Sequence, residues 1–568
     1  MLAVRTLHLL YALPIASIVV SAYHAGKTES LRSATSLGNP PHSKELFSVA
    51  PMMGHTNRHY RYFFRLLSRR AHLYTEMIPS SQIVRAYRRA RGIYLHVGTD
   101  RRNQYKTEEI NAEEMMEVVA RMKANPGKEY QSHESHGRDD ILTLHQLIGT
   151  SSSIGSSDAP RASEYPVVLQ LGGKDATALG MAAAIGAAYG HGEYHEINLN
   201  CGCPSNAVGG RSGGCALMRQ HELVAQCVEQ MNAGVHSLAD AQGSSTDHIP
   251  DITVKHRLGV RDASTFDPVA DRAKNDEEAY AECSNFIRTV SLHGDVTKFH
   301  VHARLGLLGE FAGDGCGDNH RQKKMQQSLW VPGDDKSNNL PIARIGKIDH
   351  KREREKAQRR ARKATVKNRH VPPLRPKVIN SLAAEFTQYE FVTNGGIQTM
   401  SEVNKIVNSG LHGDKQTSVV GAMVGRTAIN HPCSFTSADA LWDSDIIETR
   451  PTRGEILEVF SRYCDEEEER IQSYGASHAT MENLRRRLVA VPFHLFVGEE
   501  GSDEFQRHLK KLREKCRSVK ASSIIAGSAS FIPTESLNKY IDDFVAWEDL
   551  VLFDKGLQRG SAMQRVVY

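Results

Sequence analysis

Eight short runs of apolar and β-branched residues recur along the chain: Phe47–Met52, Leu73–Ile78, Val167–Leu171, Glu196–Asn200, Ile252–Leu258, Phe299–Arg304, Tyr389–Asn394 and Val419–Gly425. Between most of them lie segments with helical spacing, such as Asp175–Tyr189 and His221–Met231. Short strands alternating with helices predict a parallel β/α architecture. Eight of them predict a closed (β/α)8 TIM barrel. No GxGxxG follows the first run, which argues against an open dinucleotide-binding sheet. After the eighth run, Glu455–Tyr474, Met481–Phe496 and Ser502–Val519 carry a helical period. The expected organisation is a barrel over residues 46–450 and a separate helical domain over 451–568.

Three polar stretches interrupt the pattern, at about 99–164, 233–250 and 312–366. Their Gly, Ser, Asp and Lys/Arg content favours disorder. Between Lys351 and Arg369 stand ten Lys/Arg and two Glu. Such a run is either a solvated insertion or a nonspecific grip on RNA phosphates. Residues 1–28 lack Asp and Glu, and the apolar run Leu9–Val20 is broken by Pro14. That run is too short for a confident membrane span, and resembles a signal-type core followed by a Ser/Thr/Lys/Arg stretch. Residues 1–45 therefore read as a targeting leader, with a plastid as the first reading, a mitochondrion the second and a disordered leader the third. No stable membrane association is expected of the mature chain.

Composition adds little to this. The 71 Lys+Arg and 66 Asp+Glu give a net charge of +5, and 40% hydrophobic residues suffice for a real core. Nine Cys without a CxxC pair exclude a zinc ribbon and a disulfide framework.

The chemistry concentrates where runs end. Asn198-Leu199-Asn200-Cys201-Gly202-Cys203-Pro204-Ser205 closes the fourth run in a tight turn that presents the thiol of Cys203 at a strand end. In a β/α barrel, strand C-termini carry the active site. Asn394-Gly395-Gly396 ends the seventh run and Gly425-Arg426 the eighth. Glycines permit close backbone approach and an arginine pairs with phosphate, so the two together suggest a phosphate site. Lys255 is a cation in an otherwise apolar strand, read either as a snorkelling strand-end lysine or as a partner for an anionic reduced flavin ring. Gln170 is either a satisfied core amide or a ring partner. His300 and His302 lie two apart on one strand face. No acidic or Cys partner lies at metal spacing in sequence, so one structural and one ligand-facing His is expected, and no metal.

The motifs together resemble those of the tRNA-dihydrouridine synthases, nearest their A-type bacterial branch. The matching stretches are Ser48–Met53, Leu73–Met77, Leu169–Gly173, Asn198–Ser205, Thr253–Lys255, Val301–Arg304, Asn394–Ile397 and Val424–Arg426, in family order. The resemblance implies an FMN-bearing barrel with a helical RNA-binding domain, reduced by NADPH and acting on uridine in the tRNA D-loop. It assigns FMN contacts to Pro51, Met52, Met53, Gln170, Lys255, His302, Asn394, Gly395, Gly396, Gly425 and Arg426. It makes Cys203 the catalytic acid and sets Asn200 against the target uridine. Lys367–Leu374 resembles an element that touches tRNA, which makes Arg369 a substrate contact, and Arg507 is a second one in the tail. The compact trio Arg485–Arg487 adds positive charge there. The chain departs from the family at Asp503 and Gln506, where arginines are common, at Cys201, more often apolar, and in the three insertions.

Two other readings share parts of this pattern. A flavin barrel that reduces a small molecule, of the dihydroorotate or enoate type, would keep the phosphate motifs without needing the tail. A non-catalytic RNA-binding barrel would need neither Cys203 nor Lys255. No protein partner is inferable.

Overall fold

The computed structural model describes residues 44–91, 111–124, 144–150, 164–190, 193–204, 213–242, 249–263, 266, 272–309, 372–412, 419–442 and 451–544. Leader residues 1–43, Arg369 and the basic run 351–369 lie outside the described residues.

The strands are β1 (Phe47–Val49), β2 (His72–Tyr74), β3 (Ile78–Pro79), β4 (Val167–Gly172), β5 (Tyr194–Cys201), β6 (Asp251–Arg257), β7 (Val260–Asp262), β8 (Lys298–His302), β9 (Gly306–Leu308), β10 (Glu390–Asn394) and β11 (Val419–Val424). Parallel pairing runs β2-β1-β11-β10-β8-β6-β5-β4 and closes through Leu73 against Val167. The eight expected runs thus form the eight staves of a closed barrel. Strand β3 extends the second stave along β4, and β7 and β9 make a small parallel pair after β6 and β8. Glu45, the last residue of the expected leader, is already fully buried in the barrel.

The alternation of side chains along the strands decides what fills the barrel. Ile197, Leu199 and Cys201 pack outward against the helix layer, while Glu196, Asn198 and Asn200 line the interior. The helix Ala176–Tyr189 is rich in Ala and Gly, and Asp175 caps it by accepting from Ala178 N at 2.9 Å. Its small residues let the next helix come close. A Cβ at Gly180 would lie 2.6 Å from Gln230 O, and one at Gly234 would lie 2.4 Å from Gly180 O. Here an expectation is corrected: the helix beginning at His221 runs to Gln242, through half of the stretch read as an insertion. Glycine there serves a close helix crossing rather than a loop.

The 99–164 stretch is corrected as well. It contains helices Ala112–Ala124 and Leu144–Ile148, which bury Met115, Val118, Val119, Met122, Leu144 and Ile148 in the main core. His145 joins three regions. Its Nε2 lies 2.5 Å from Arg58 Nη1 and 3.1 Å from Arg470 Nη1, and its Nδ1 lies 3.2 Å from Tyr189 OH. Arginine only donates, so Nε2 is the acceptor and the ring proton sits on Nδ1. Burial and the two guanidiniums hold its pKa well below the ordinary histidine value.

The C-terminal helices Arg453–Ser473, His478–Ala490, Ser502–Leu512 and Ala521–Ala529 share a core with β1, β11 and helix Arg58–Arg65. Phe63 meets Phe460 edge-on at 5.4 Å, and Tyr62 stacks on Tyr463 at 3.9 Å. Arg485, expected in a basic cluster, is turned inward. Its Nε bonds Glu468 at 2.7 Å and its Nη1 donates to the carbonyls of Cys516 and Arg517. Among the described residues no helix is long and apolar enough to cross a membrane.

Candidate active site

The expected site residues converge on one rim, the C-terminal ends of the strands. Pro51, Met52 and Met53 follow β1, Gln170 is on β4, Asn200 on β5 with Cys203 just beyond, and Lys255 on β6. His302 ends β8, Asn394–Gly396 end β10, and Gly425–Arg426 follow β11. Arg507 is exposed on the tail helix, paired with Glu504.

Cys203 is singled out by exposure. Of the eight described cysteines it alone is not buried. Cys201, two residues earlier, faces the helix layer, where burial holds its thiol well above the ordinary range. The turn that lifts Cys203 is fixed by Asn200, whose Oδ1 accepts from Gly202 N and Cys203 N, both at 3.0 Å.

That asparagine is the top rung of a ladder through the barrel interior. Asn200 Nδ2 donates to Gln170 Oε1 at 3.0 Å, and Gln170 Nε2 to Asn198 Oδ1 at 2.8 Å. Asn198 Nδ2 donates to Thr253 Oγ1 at 2.8 Å, and Thr253 Oγ1 to Glu196 Oε1 at 2.6 Å. Gln170 is therefore both a satisfied core amide and part of the rim. Each of the two top amides keeps one N–H beyond these bonds.

The ladder ends on a charged floor. Lys298 Nζ bonds Glu196 at 2.8 Å, and His300 Nε2 lies 2.9 Å from Glu45 and 2.6 Å from Tyr74 OH. Despite burial, His300 and Lys298 hold the Glu45 carboxyl down at about 2. His300 is thus the structural histidine. The sequence placed no acid near it, yet the fold brings two: donor atoms of Glu45, Glu196 and His300 lie within 4.8 Å of one another. The Lys298 ammonium already supplies a positive charge there.

The mouth differs. Lys255 Nζ donates to Asn394 Oδ1 at 3.2 Å. Burial, then the nearby Arg257, pushes its pKa down to about 7, with Cys203 opposing. Burial and the cations Arg257, Lys255, Arg304 and Arg426 hold His302 well below its ordinary range, so its imidazole is neutral. Arg304 is lowered by burial, Arg257 and Arg426. No carboxylate is among the charges that shift Lys255, His302 or Arg304. Beside them Gly395 and Gly396 take φ of +115° and +78°. A Cβ at Gly395 would lie 2.8 Å from the His302 ring. This cradle of glycine backbone under several cations is suited to an anionic ligand.

The sequence reading missed Arg257 and Arg304. Each stands two residues beyond a residue it did name, Lys255 and His302, and the period of two would have found both.

A barrel with a strand-end thiol, a cationic mouth and a packed helical tail defines a class of ligand-binding barrel enzyme. The sequence narrows it. Residues 48–125 and 142–330 match the family described as dihydrouridine synthase. The chain is 26% identical over 465 residues to a tRNA-dihydrouridine(20/20a) synthase of Pseudomonas syringae pv. tomato, covering 82% of this chain and 87% of that one. Proteins of the same name from Escherichia coli K12 (26%; 83% and 87% covered) and Synechocystis sp. (27%; 74% and 78% covered) are similar. Over residues 48–125 and 142–330, most of the barrel, the chain matches the dihydrouridine synthase family.

Proposed function

We propose that this chain reduces uridine to 5,6-dihydrouridine in the D-loop of tRNA, with FMN as its flavin and NADPH as the source of electrons. The observation that carries the reading is Cys203, the one unburied thiol among the described residues, on the same rim as Lys255, His302 and Arg304, none of which is shifted by a carboxylate.

The residues fit FMN. Gly395, Gly396, Gly425 and Arg426 would hold its phosphate, and Asn394 and Lys255 the pyrimidine edge of the ring. Pro51, Met52, Met53, Gln170 and His302 would line the rest. When bound, the flavin supplies a hydride to C6 of uracil.

The chain's own groups do the remainder. The Lys255 ammonium offsets negative charge that develops beside it. The neutral His302 donates its N–H to a carbonyl without adding a further positive charge to the mouth. Cys203 delivers its proton to C5 from the face opposite the hydride. Asn200 sets the height of the thiol and offers its remaining N–H to the base. Extruding the uridine from the folded RNA costs a few kcal/mol, offset by cationic contacts to phosphate, with Arg369 and Arg507 as candidates.

An anaerobic experiment tests this. The full chain is reduced with NADPH and then mixed with unmodified tRNA. Flavin absorbance that bleaches and returns only with tRNA is expected. A flavin that bleaches and ignores tRNA points to the small-molecule reductase, and a colourless protein overturns the flavin assignment. Organellar import, to a plastid first, is a separate part of the proposal. A fluorescent fusion of residues 1–45 that stays in the cytosol would refute it.

A further inference from the structure

Arg257 ends β6 two residues beyond Lys255 and is almost wholly buried. Its guanidinium is committed to main-chain carbonyls on two neighbouring segments. Nε donates to Gly202 O at 2.7 Å, and Nη1 to Leu305 O at 3.0 Å. Gly202 immediately precedes Cys203, and Leu305 follows the segment that carries His302 and Arg304. One planar, rigid fork therefore ties the turn bearing the thiol to the loop bearing the imidazole.

The surroundings keep a place for that fork. A Cβ at Gly306 would lie 3.1 Å from Arg257 Cδ and 3.0 Å from Cys215 Sγ, so the stem passes tightly against the glycine. Cys215 N donates to Cys203 O at 2.9 Å, which holds the far side of the turn. Asn200 fixes the N–H groups of the turn from below. Only Arg257 connects the turn sideways to the His302 segment among these contacts.

Given the uridine-reductase reading above, on which this rests, we infer that Arg257 is the positioning residue for proton delivery: its fork fixes the Cys203 thiol relative to His302 and Lys255. A buried arginine that merely satisfied carbonyls would serve the fold. This one joins the two segments that must stay in register while a proton moves between them and the base. Displacement of a reacting group by about 1 Å costs about 100-fold in rate.

The test compares the full-length, flavin-loaded wild type with Arg257→Lys, which keeps the charge and loses the fork, and Arg257→Met, which loses both. Flavin retention, reduction by NADPH and half-saturation by tRNA should match the wild type in Arg257→Lys, which keeps the positive charge at the mouth. Reoxidation of the reduced flavin by tRNA should fall about 100-fold in both. Because Arg257 helps to push Lys255 down to about 7, the pH limb near that value should move upward in Arg257→Met and stay in place in Arg257→Lys. A second readout needs no turnover. Alkylation of Cys203 by iodoacetamide, located by mass spectrometry at a pH where the thiol is ionised, should be faster in both variants.

Wild-type reoxidation in Arg257→Lys would overturn the inference. So would a loss shared equally by flavin retention and NADPH reduction, which marks a purely structural role. If tRNA fails to reoxidise even the wild type, the functional reading falls instead. The alkylation rates then decide this point alone, and unchanged rates in both variants reject it.

Discussion

The floor and the mouth of this barrel use the same kinds of side chain and reach opposite electrostatic states. On the floor Lys298 and His300 meet Glu196 and Glu45, and the charges answer one another within the fold. At the mouth Lys255, His302 and Arg304 stand near Arg257, and His302 and Arg304 near Arg426, with no carboxylate among the charges that shift Lys255, His302 or Arg304. Buried charge is costly unless it is paired. The floor is therefore completed by folding, whereas the mouth is suited to an anionic ligand. That is the physical sense in which one end of the barrel is structural and the other is a site.

The largest effect expected concerns the thiol. Cys203→Ala should lower single-turnover reduction of tRNA by about 10²–10⁴-fold, with flavin retention unchanged. Stopped-flow absorbance measures both, and an undiminished rate would mean the acid lies elsewhere. Next comes the floor. Glu196→Gln removes the 2.8 Å partner of Lys298 and should cost about 3 kcal/mol in urea unfolding. Acid should act through the same cluster. Glu45 titrates at about 2 in the folded chain, below the ordinary value of about 4.3. Its contribution is present above that ordinary value and is lost as pH falls toward 2.

The mouth should respond in the reverse sense. Lys255→Met should weaken flavin binding about 10–100-fold, as loss of a charge-assisted contact does. The stability of the flavin-free chain should hold or rise, because a buried cation beside other cations has been removed. Destabilisation comparable to Glu196→Gln would break the contrast between the two ends. The smallest effect is a proton. With Lys255 at about 7 in the free chain, an anionic ligand that keeps it charged should draw in about half a proton at pH 7. Calorimetry in buffers of different ionisation enthalpy reads that uptake, and a value of zero would show that Lys255 is not the group beside the ligand.

Much of this was legible along the chain because strands write a period of two into it. The runs gave eight staves, and residues at their ends gave Cys203, Lys255, His302 and Asn394–Gly396 on one rim. What escaped was pairing between distant positions. Glu45 looked like leader, yet it closes the floor with His300, 255 residues away. Arg485 looked like part of an RNA-facing cluster until Glu468 and two carbonyls claimed it. Helix Ala112–Ala124 was hidden by its polar surroundings, although Met115, Val118, Val119 and Met122 follow helical spacing. Gly234 read as a loop former because composition cannot distinguish a turn from a close helix crossing.

The ladder Glu196–Thr253–Asn198–Gln170–Asn200 has a bearing on how genetic data for this chain would be interpreted. A survey of inactive variants would return Thr253 and Asn198 alongside Cys203, although neither lies on the rim. Their substitutions would tilt the thiol through successive amides and yet leave the barrel folded. Loss of activity mapped onto this sequence would therefore trace a line through the barrel rather than outline a pocket. A catalytic residue could be recognised only by what its replacement does to the proton, and not by the severity of the defect.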